Sequence, residues 1–498
     1  MDDRELESLF PYIAHRYRPL TETGGWFYTA LIHNGFSSVT VLGLRLLPEI
    51  AVGMPRKNPD EPIFVYVARH RSEFDYALLL AALFKQGMFA TTQAGDNLFI
   101  GPLGPFMAKR GAFKVLRFKE GETKTFYHWG WKRDRFYKMW AKIPVLRKAL
   151  RKKPVVLTRQ DYRRMYALYI RHLVREGYDI QVYPEFEWSA KGKKRLGRSK
   201  SGLLNPMAAA VFESLLDAER ATGRPVFIVP VNVNYERVPE DTNIRRIQAV
   251  REYLARKLRL GNTIGNAVSY SFDFVYNILL CLPGVNIVPR ARRPATIVHI
   301  GEPYRLAPPE GEDLARATAQ SAMISSRYPD KEDGREKPSE AELAANVARM
   351  KVGALEVAYP CQLVAYSALE PLMNEGWWTL MREVFGQEGK NAGYGPGLPD
   401  TYVVPLEELR RRYHDNFRFL GAKNFSIHEV AGPGGGPISL EEALGEMDRF
   451  FATRLLINPI FDWNEKELTV KDMPTFVQYA NHIAHLFREE TSAPPSQR

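Results

Sequence analysis

The sequence is poor in cysteine. Its 498 residues include two, Cys281 and Cys361, which lie far apart and outside any Cys-x-x-Cys or Cys/His cluster. Neither a disulfide framework nor a zinc site is therefore indicated, and a reducing compartment is expected. Long apolar runs are also missing: the longest, 226–233 and 275–289, are shorter than the ~18 to 20 residues that a spanning helix needs. We therefore expect any membrane contact to be peripheral.

A secretory signal pattern is absent from the first residues, which read Met-Asp-Asp-Arg-Glu and are acidic where such a signal would be basic and then apolar. This start predicts a cytoplasmic protein. The length exceeds what one compact core usually holds, so more than one structural unit is expected. The composition, 45% hydrophobic and 25% charged, is typical of a folded protein.

Positive charge is in excess. A net charge of +12 suits nucleic acid, an anionic lipid surface or a phosphate-rich substrate such as coenzyme A. Basic residues concentrate in 132–153 and 191–200, and the first stretch is interleaved with aromatic and aliphatic residues. It fits an interfacial amphipathic helix broken at Pro144, or equally a solvated basic face over a core stripe. No nucleic-acid-binding module is recognisable, so nucleic acid is not an expected partner.

The order of apolar patterns predicts the fold class. Residues 1 to about 60 read as a helical segment, and from Pro62 short apolar runs alternate with helical stretches. The strand candidates are 63–68, 179–183, 226–233 and 295–300. Continuous apolar strands between helices indicate a sheet covered on both faces. We therefore expect an α/β domain over 61–310, with a central mixed, mostly parallel sheet flanked by helices.

Beyond residue 310 the pattern becomes mainly helical. We expect a helical extension over 311–385, with a helix from Ala341 to Ala358, and a mostly helical C-terminal region over 386–498. Glycine-rich breaks at 386–400 and 431–437 interrupt this region, and 491–498 reads as a frayed tail.

A polar cluster follows the strand candidate 63–68 and includes His70 and Asp75. Strand ends of this kind are where open α/β sheets bind their ligands. If Ser72 caps the next helix, Asp75 lies at the third helical position and can fold back toward His70.

Such a pair can act as a general base. The carboxylate fixes the imidazole tautomer, and the imidazole can deprotonate a substrate hydroxyl, so that the substrate itself is the nucleophile. Neither a covalent enzyme intermediate nor a cofactor is then required. The spacing alone fits equally a helix-capping Ser/Asp beside a hydrogen-bonded structural histidine, because one aspartate five places from a histidine is common.

The motif His70-Arg71-Ser72-x-x-Asp75-Tyr76 resembles the first motif of the glycerol-3-phosphate and dihydroxyacetone-phosphate acyltransferases, a family within the HxxxxD phospholipid acyltransferases. Four further blocks follow in the family's order: 94–98 with 111–117, 178–185, 228–231 with 235–237, and 299–303. The resemblance covers roughly residues 40 to 375.

The resemblance implies roles for single residues, with His70 as catalytic base and Asp75 as its partner. It implies acceptor or phosphate binding by Arg71, Arg117, Glu185, Ser189, Lys193 and Lys200. The acyl chain needs an apolar channel, which we expect near the aromatic residues Phe113 and Trp188 and along the strand edge at Pro230, and we expect no metal site. From the residues alone, Arg71 could instead form an ion pair with Glu185, and Arg117 could lie on the surface.

The third motif departs from the family pattern. Where the family reads approximately EGGRSR, this chain reads EFEWSA over 185–190, so both arginines are replaced. Tryptophan cannot reproduce the bidentate grip of arginine on a phosphate. The lysines and arginines of 191–200 are available to replace that grip, although a solvated charge run remains an alternative.

The expected function is transfer of a fatty acyl group from acyl-CoA or acyl-carrier protein to the sn-1 hydroxyl of glycerol 3-phosphate, giving lysophosphatidate. The expected partners are the acyl carrier, a small phosphorylated acceptor and an anionic membrane surface, with the protein peripheral on the cytoplasmic face. Alternatives are another acceptor (dihydroxyacetone phosphate, lysophosphatidate or a glycolipid) or a non-catalytic lipid-binding scaffold of the same fold.

Overall fold

A computed structural model describes residues 1–10, 36, 38–47, 55–72, 74–84, 87–95, 111–116, 118, 122–126, 155–188, 194–196, 204–236, 238, 294–327, 337–385, 401–423, 426–427, 438–451 and 461–488. The basic stretch 132–153, the glycine-rich breaks 386–400 and 431–437, and the tail 491–498 lie outside these residues.

The strands within the described residues are β1 (Ser38–Leu42), β2 (Ile63–Ala68), β3 (Thr91–Gly95), β4 (Ala112–Val115), β5 (Lys124–Phe126), β6 (Val155–Leu157), β7 (Ile180–Val182), β8 (Phe186–Trp188), β9 (Lys194–Leu196), β10 (Val226–Tyr235), β11 (Ala295–Ile300), β12 (Tyr304–Arg305), β13 (Val357–Ala358), β14 (Tyr402–Pro405), β15 (Ser426–Ile427), β16 (Phe461–Trp463) and β17 (Glu467–Val470).

The helices are α1 (Asp3–Glu7), α2 (Asp75–Phe84), α3 (Arg159–Glu176), α4 (Ala209–Thr222), α5 (Gly311–Arg327), α6 (Glu340–Gly353), α7 (Pro360–Phe385), α8 (Leu406–Ala422), α9 (Leu440–Phe451) and α10 (Met473–Arg488). A short 3-10 turn, Leu44–Leu46, follows β1.

The central sheet has the strand order β1-β11-β10-β2-β7-β3-β4, and β12 pairs with β10. Its pairs are parallel except β10 with β11 and β10 with β12, which are antiparallel. The topology confirms the predicted α/β fold with a mixed, mostly parallel sheet. The strands predicted at 63–68 and 295–300 have those bounds, whereas the strand predicted at 226–233 continues to Tyr235.

Both faces of the sheet are covered, which explains its continuous apolar strands. Ile63, Val65 and Val67 of β2 pack in one apolar cluster with α3, α4 and α6. The alternate residues Phe64, Tyr66 and Ala68 pack in another cluster with α2. Because successive side chains of a strand point to opposite faces, β2 is buried along its whole length.

The N-terminal segment differs from the helical expectation for residues 1 to about 60. Asp3–Glu7 is helical, but Ser38–Leu42 is a strand that pairs in parallel with β11. The sequence Ser-Val-Thr-Val-Leu is rich in β-branched residues, which suit a strand more than a helix. The helical prediction was wrong at this point because the pairing partner lies far away in the sequence.

The helix expected over 341–358 also ends earlier than predicted. It stops at Gly353, and Val357 and Ala358 form β13 instead. The Val357 N–H donates to Asn234 Oδ1 at 3.1 Å, so a contact with the central sheet replaces the helical hydrogen bond.

Most of the described residues after 400 lie in the helices α8, α9 and α10. Helices α7, α8, α9 and α10 share one apolar cluster with the strands β14, β16 and β17. Those strands form an antiparallel sheet in the order β14-β17-β16, which the sequence patterns did not predict. The domain boundaries at 310 and 385 remain predictions. Among the described residues, no helix combines the length and apolar character needed to cross a membrane.

Two glycines that end helices give a matched test of close packing. Gly177 ends α3 and Gly223 ends α4, both with positive φ (86° and 69°). A Cβ on Gly177 would lie 2.1 Å from the Arg56 carbonyl oxygen, whereas a Cβ on Gly223 would meet nothing within 4 Å.

We expect Gly223→Ala to cost about 1 kcal/mol of unfolding free energy, since it carries only the left-handed backbone penalty. Gly177→Ala should cost about 3 kcal/mol, because the clash with Arg56 is added. Urea denaturation midpoints measure the difference. Equal losses for the two variants would contradict the packing around Gly177.

Candidate active site

The candidate site lies at the carboxyl edge of three neighbouring strands. The turn after β2 carries Arg69, His70 and Arg71, and α2 begins at Asp75. Glu185 follows β7, and Tyr235 is the last residue of β10. Because β7 and β10 both run parallel to β2, their ends bring these residues together. This edge is where open α/β sheets bind ligands.

His70 and Asp75 are in contact, as the sequence predicted. Nδ1 of His70 lies 3.1 Å from Oδ2 of Asp75. The same carboxylate oxygen accepts hydrogen bonds from the backbone N–H groups of Arg71 at 2.7 Å and Ser72 at 2.9 Å. Oδ1 accepts from the Tyr235 hydroxyl at 2.6 Å. Asp75 is thereby fixed by donors from the turn, the histidine ring and β10.

The exposure of the pair suits a base that acts on a substrate. The His70 side chain is 25% exposed, while that of Asp75 is 1% exposed. With the Nδ1 proton assigned to the carboxylate bond, Nε2 of His70 is left as an acceptor for a hydroxyl proton. The arrangement therefore fits general-base chemistry.

The His70 ring packs beside Tyr183, with 5.2 Å between the ring centroids. Burial, reinforced by the Asp75 carboxylate, raises the pKa of Tyr183 well above its usual value. The phenol therefore stays protonated, and an uncharged ring packs against His70.

Four buried charges lie behind the histidine: Arg69, Arg71, Glu185 and Glu356, here called the arginine–glutamate cluster. Arg69 bonds Glu356 at 2.9 Å and also lies 3.5 Å from Glu185. Arg71 bonds Oε2 of Glu356. Glu185 accepts the backbone N–H of His70 at 3.1 Å and that of Asn205 at 2.9 Å. The cluster thus supports the turn that carries His70.

The charges of the cluster are mutually compensated. Burial by itself would raise the pKa of the Glu356 carboxyl, but Arg71 and Arg69 outweigh burial and hold that pKa at about 2. Glu356 is therefore ionised at every pH at which the protein is expected to work. Two arginines and two carboxylates balance in a region from which water is largely excluded.

Arg71 has an ion-pair partner that the sequence did not suggest. The sequence left open an ion pair with Glu185, but Arg71 pairs with Glu356, and Arg69 pairs with both glutamates. Arg69 and Arg71 are two positions apart along the turn, and both bond the carboxylate of Glu356. The motif did not predict this shared partner. Binding of the acceptor phosphate by Arg71 or Glu185 remains a prediction.

The predicted channel residues that the structure describes lie in the core. Phe113 on β4 is fully buried against the rings of Tyr166 and Tyr169 of α3. Pro230 is buried on β10 beside Val67 of β2, and its carbonyl accepts from Gly301 at 2.9 Å. Their acyl-channel role remains a prediction.

The remaining predicted residues lie outside the described part. They are Arg117, Ser189, Lys193 and Lys200, together with the side chain of Trp188. The backbone of Trp188 is in β8, which pairs antiparallel with β9.

Sequence reasoning missed two residues of the site. Tyr235 was part of a quoted block but received no role, although a tyrosine at the end of a buried strand next to the site is a usable signal. Glu356 is 287 residues from Arg69, and no local pattern marked it.

The helix α10 carries a buried histidine, His482. This residue is 1% exposed, and its Nδ1 lies 3.2 Å from Nε2 of Gln362. Burial, assisted by the positive charge of Arg71, lowers the pKa of His482 well below its usual value. His482 is therefore neutral in the folded protein.

The burial of His482 predicts that the free energy of unfolding decreases in acid. Below pH 6.5 the unfolded chain protonates His482 and the folded protein does not, so stability is lost as pH falls from 6.5 toward the lower folded-state pKa. The loss from this residue is about 1.4 kcal/mol per pH unit. In His482→Asn, which keeps an acceptor for Gln362, urea denaturation between pH 6.5 and 5 should show a correspondingly shallower slope.

His414→Asn, which removes an exposed histidine of α8, controls for loss of a histidine as such. If the unfolding free energy of His482→Asn falls with pH as steeply as that of the wild type, then His482 binds its proton in the folded protein and the prediction is wrong.

Comparison with known proteins identifies the segment that carries the site. Residues 49–234 match the sequence model of the Acyltransferase family. The glycerol-3-phosphate acyltransferase of Haemophilus ducreyi is 30% identical over 186 residues, which are 37% of this chain and 17% of that protein. The protein of the same name from Alteromonas mediterranea is 24% identical over 268 residues, or 51% of this chain and 26% of that protein.

The chain thus spans about a fifth of the length of these curated relatives. A solved 1-acyl-sn-glycerophosphate acyltransferase from Thermotoga maritima is 14% identical, and the match covers 68% of this chain and 86% of that one with a TM-score of 0.25. The matched segment contains His70, Asp75 and Glu185. Residues 49–234, which carry the site, are thus similar in sequence to the Acyltransferase family.

Proposed function

We propose that this protein is an O-acyltransferase that moves a fatty acyl group from acyl-CoA or acyl-carrier protein to the sn-1 hydroxyl of glycerol 3-phosphate, giving lysophosphatidate for phospholipid biosynthesis. The observation that carries the proposal is the contact of His70 with Asp75 at the edge of a family-matched domain. The names of the curated relatives support glycerol 3-phosphate as the acceptor.

The chemistry follows from the orientation of the imidazole. Nε2 of His70 takes the proton of the acceptor hydroxyl while the hydroxyl oxygen attacks the thioester carbonyl carbon. The imidazolium is stabilised by Asp75. The tetrahedral intermediate then expels the thiolate, which takes the proton from His70. An ester and a free thiol result, without an acyl-enzyme and without a metal ion or further cofactor.

The buried environment of Asp75 supports this role for His70. Four donors converge on the carboxylate, so it is aligned before substrate binds, and the reaction need not reorganise it. A preorganised carboxylate lowers the cost of forming the imidazolium.

The acceptor phosphate is proposed to bind Arg117 and the basic residues of 191–200, with Arg71 and Glu185 behind the turn. The net charge of +12 supports both a phosphorylated substrate and an anionic lipid surface. We propose that the protein works at the cytoplasmic face of the membrane as a peripheral protein. The acyl chain is proposed to lie in an apolar channel near Phe113, Trp188 and Pro230.

A different acceptor is a second candidate, because the third motif carries Phe186, Trp188 and Ala190 where the family has a glycine and two arginines. Dihydroxyacetone phosphate, lysophosphatidate and a glycolipid alcohol are the acceptors to compare. A catalytically silent lipid-binding scaffold would give no product with any of them.

The test is acyl transfer from radiolabelled palmitoyl-CoA and from palmitoyl-acyl-carrier protein to this panel of acceptors. Wild-type protein should form labelled lysophosphatidate from glycerol 3-phosphate. His70→Ala should lower kcat by about 10²- to 10⁴-fold, the usual contribution of a general base. His414→Ala, at an exposed site on α8, should leave kcat unchanged.

Folding of each variant is checked by circular dichroism. Product formation by His70→Ala at the wild-type rate would refute the mechanism. Preference for another acceptor would reassign the substrate, and a complete lack of product would favour the scaffold.

A further inference from the structure

One carboxylate outside the matched segment reaches the turn that carries His70. Oε2 of Glu356 accepts from Nη1 of Arg69 at 2.9 Å and from Nη2 of Arg71. These two arginines stand on either side of His70 in the sequence. Glu356 is 1% exposed, and neither arginine is more than 3% exposed. Glu356 therefore bonds both neighbours of the proposed base.

The backbone around Glu356 is itself fixed to the central sheet. Asn232 of β10 donates to Glu356 Oε2 at 3.0 Å. Asn234 of the same strand donates to the Leu355 carbonyl and accepts from the Val357 N–H, both at 3.1 Å. These bonds hold the segment on both sides of Glu356 against β10, so the carboxylate has a defined position before any substrate binds.

Arg71 depends on Glu356. Within the part of the chain that the structure describes, Nε and Nη1 of Arg71 are buried and have no hydrogen-bond partner. The bond from Nη2 to Glu356 is therefore the polar contact that orients its guanidinium. The backbone N–H of Arg71 in turn donates to Asp75 Oδ2 at 2.7 Å. A chain of contacts thus runs from Glu356 through Arg71 to Asp75 and His70.

Arg69 provides a second route. It bonds Glu356 and lies beside Glu185, whose Oε2 accepts the backbone N–H of His70. Removing the charge of Glu356 would leave two like charges close together in a buried region with less compensation. The turn between β2 and α2 would be expected to move to relieve that repulsion.

We propose that Glu356 is a positioning residue of the active site, which holds the His70 turn through Arg69 and Arg71. The role deepens the proposed function and rests on it for its catalytic consequence. Since Glu356 lies beyond residues 49–234, a part of the chain outside the family match completes the site.

The test compares Glu356→Gln and Glu356→Asp with a matched control, Asp179→Asn. Asp179 is also a buried carboxylate, paired with Arg56 through two bonds of 2.7 Å. It lies before β7, at the opposite edge of the sheet from His70. The control therefore removes a comparable buried ion pair without touching the turn.

The first measurement does not depend on activity. Hydrogen exchange by mass spectrometry follows a peptide over residues 68–76, which includes the Arg71 and Ser72 amides bonded to Asp75. Exchange there should be about tenfold faster in Glu356→Gln and unchanged in Asp179→Asn. The exchange rate in Glu356→Asp, which keeps the charge on a shorter side chain, should lie between those of the wild type and Glu356→Gln.

If Glu356→Gln does not fold, Glu356→Asp is compared with the wild type and with Asp179→Asn instead. Wild-type exchange in the folded Glu356 variants would overturn the proposal.

The second measurement is acyl transfer by the full-length chain, per folded molecule, at a temperature where every variant is folded. Glu356→Gln should lose about 10- to 100-fold in kcat, the usual effect of a base displaced by about 1 Å. Asp179→Asn should stay near the wild-type value, and Glu356→Asp should recover part of the loss.

The outcomes separate the two proposals. An active wild type with an equally active Glu356→Gln variant would refute the positioning role. Faster exchange in Glu356→Gln, combined with no acyl transfer by the wild type, would refute the proposed function and leave the structural control of the turn by Glu356 in place.

Discussion

The carboxylate of Asp75 is the acceptor on which the arrangement of the site depends. It joins the end of β2, the start of α2 and the end of β10 through the Arg71 and Ser72 amides and the Tyr235 hydroxyl. Its place in the first turn of α2 also suits a negative charge, because the helix dipole is positive there. The orientation of the His70 imidazole is therefore set by the sheet and not by the rotamer preference of one side chain.

Local sequence patterns predicted those features whose structure depends on residues close together in the chain. β2 and β11 were predicted with their observed bounds because strands of a sheet that is covered on both faces are short, mainly apolar runs rich in β-branched residues. The contact of His70 with Asp75 was predictable for a similar reason: the two residues belong to one turn and the following helix start. The motif resemblance then gave this pair a chemical meaning that the spacing by itself did not carry.

The features that the sequence did not predict depend on contacts between residues far apart in the chain. β1 is a strand because β11 is beside it, and Glu356 is important because two arginines 285 and 287 residues away bond to it. The motif indicated that Arg71 was significant, but not that its partner would be Glu356 instead of Glu185. Partner choice in a buried ion-pair cluster depends on which strands are neighbours, and no pattern within one strand encodes that order.

The position of β11 between β1 and β10 has a consequence for biosynthesis. β1 hydrogen-bonds to β11, and about 250 residues separate the two strands along the chain. At roughly 5–20 residues per second, the ribosome needs roughly ten to fifty seconds to make that intervening stretch. During this interval the nascent N-terminal strand lacks its partner, so this side of the sheet can close only after β11 has been made.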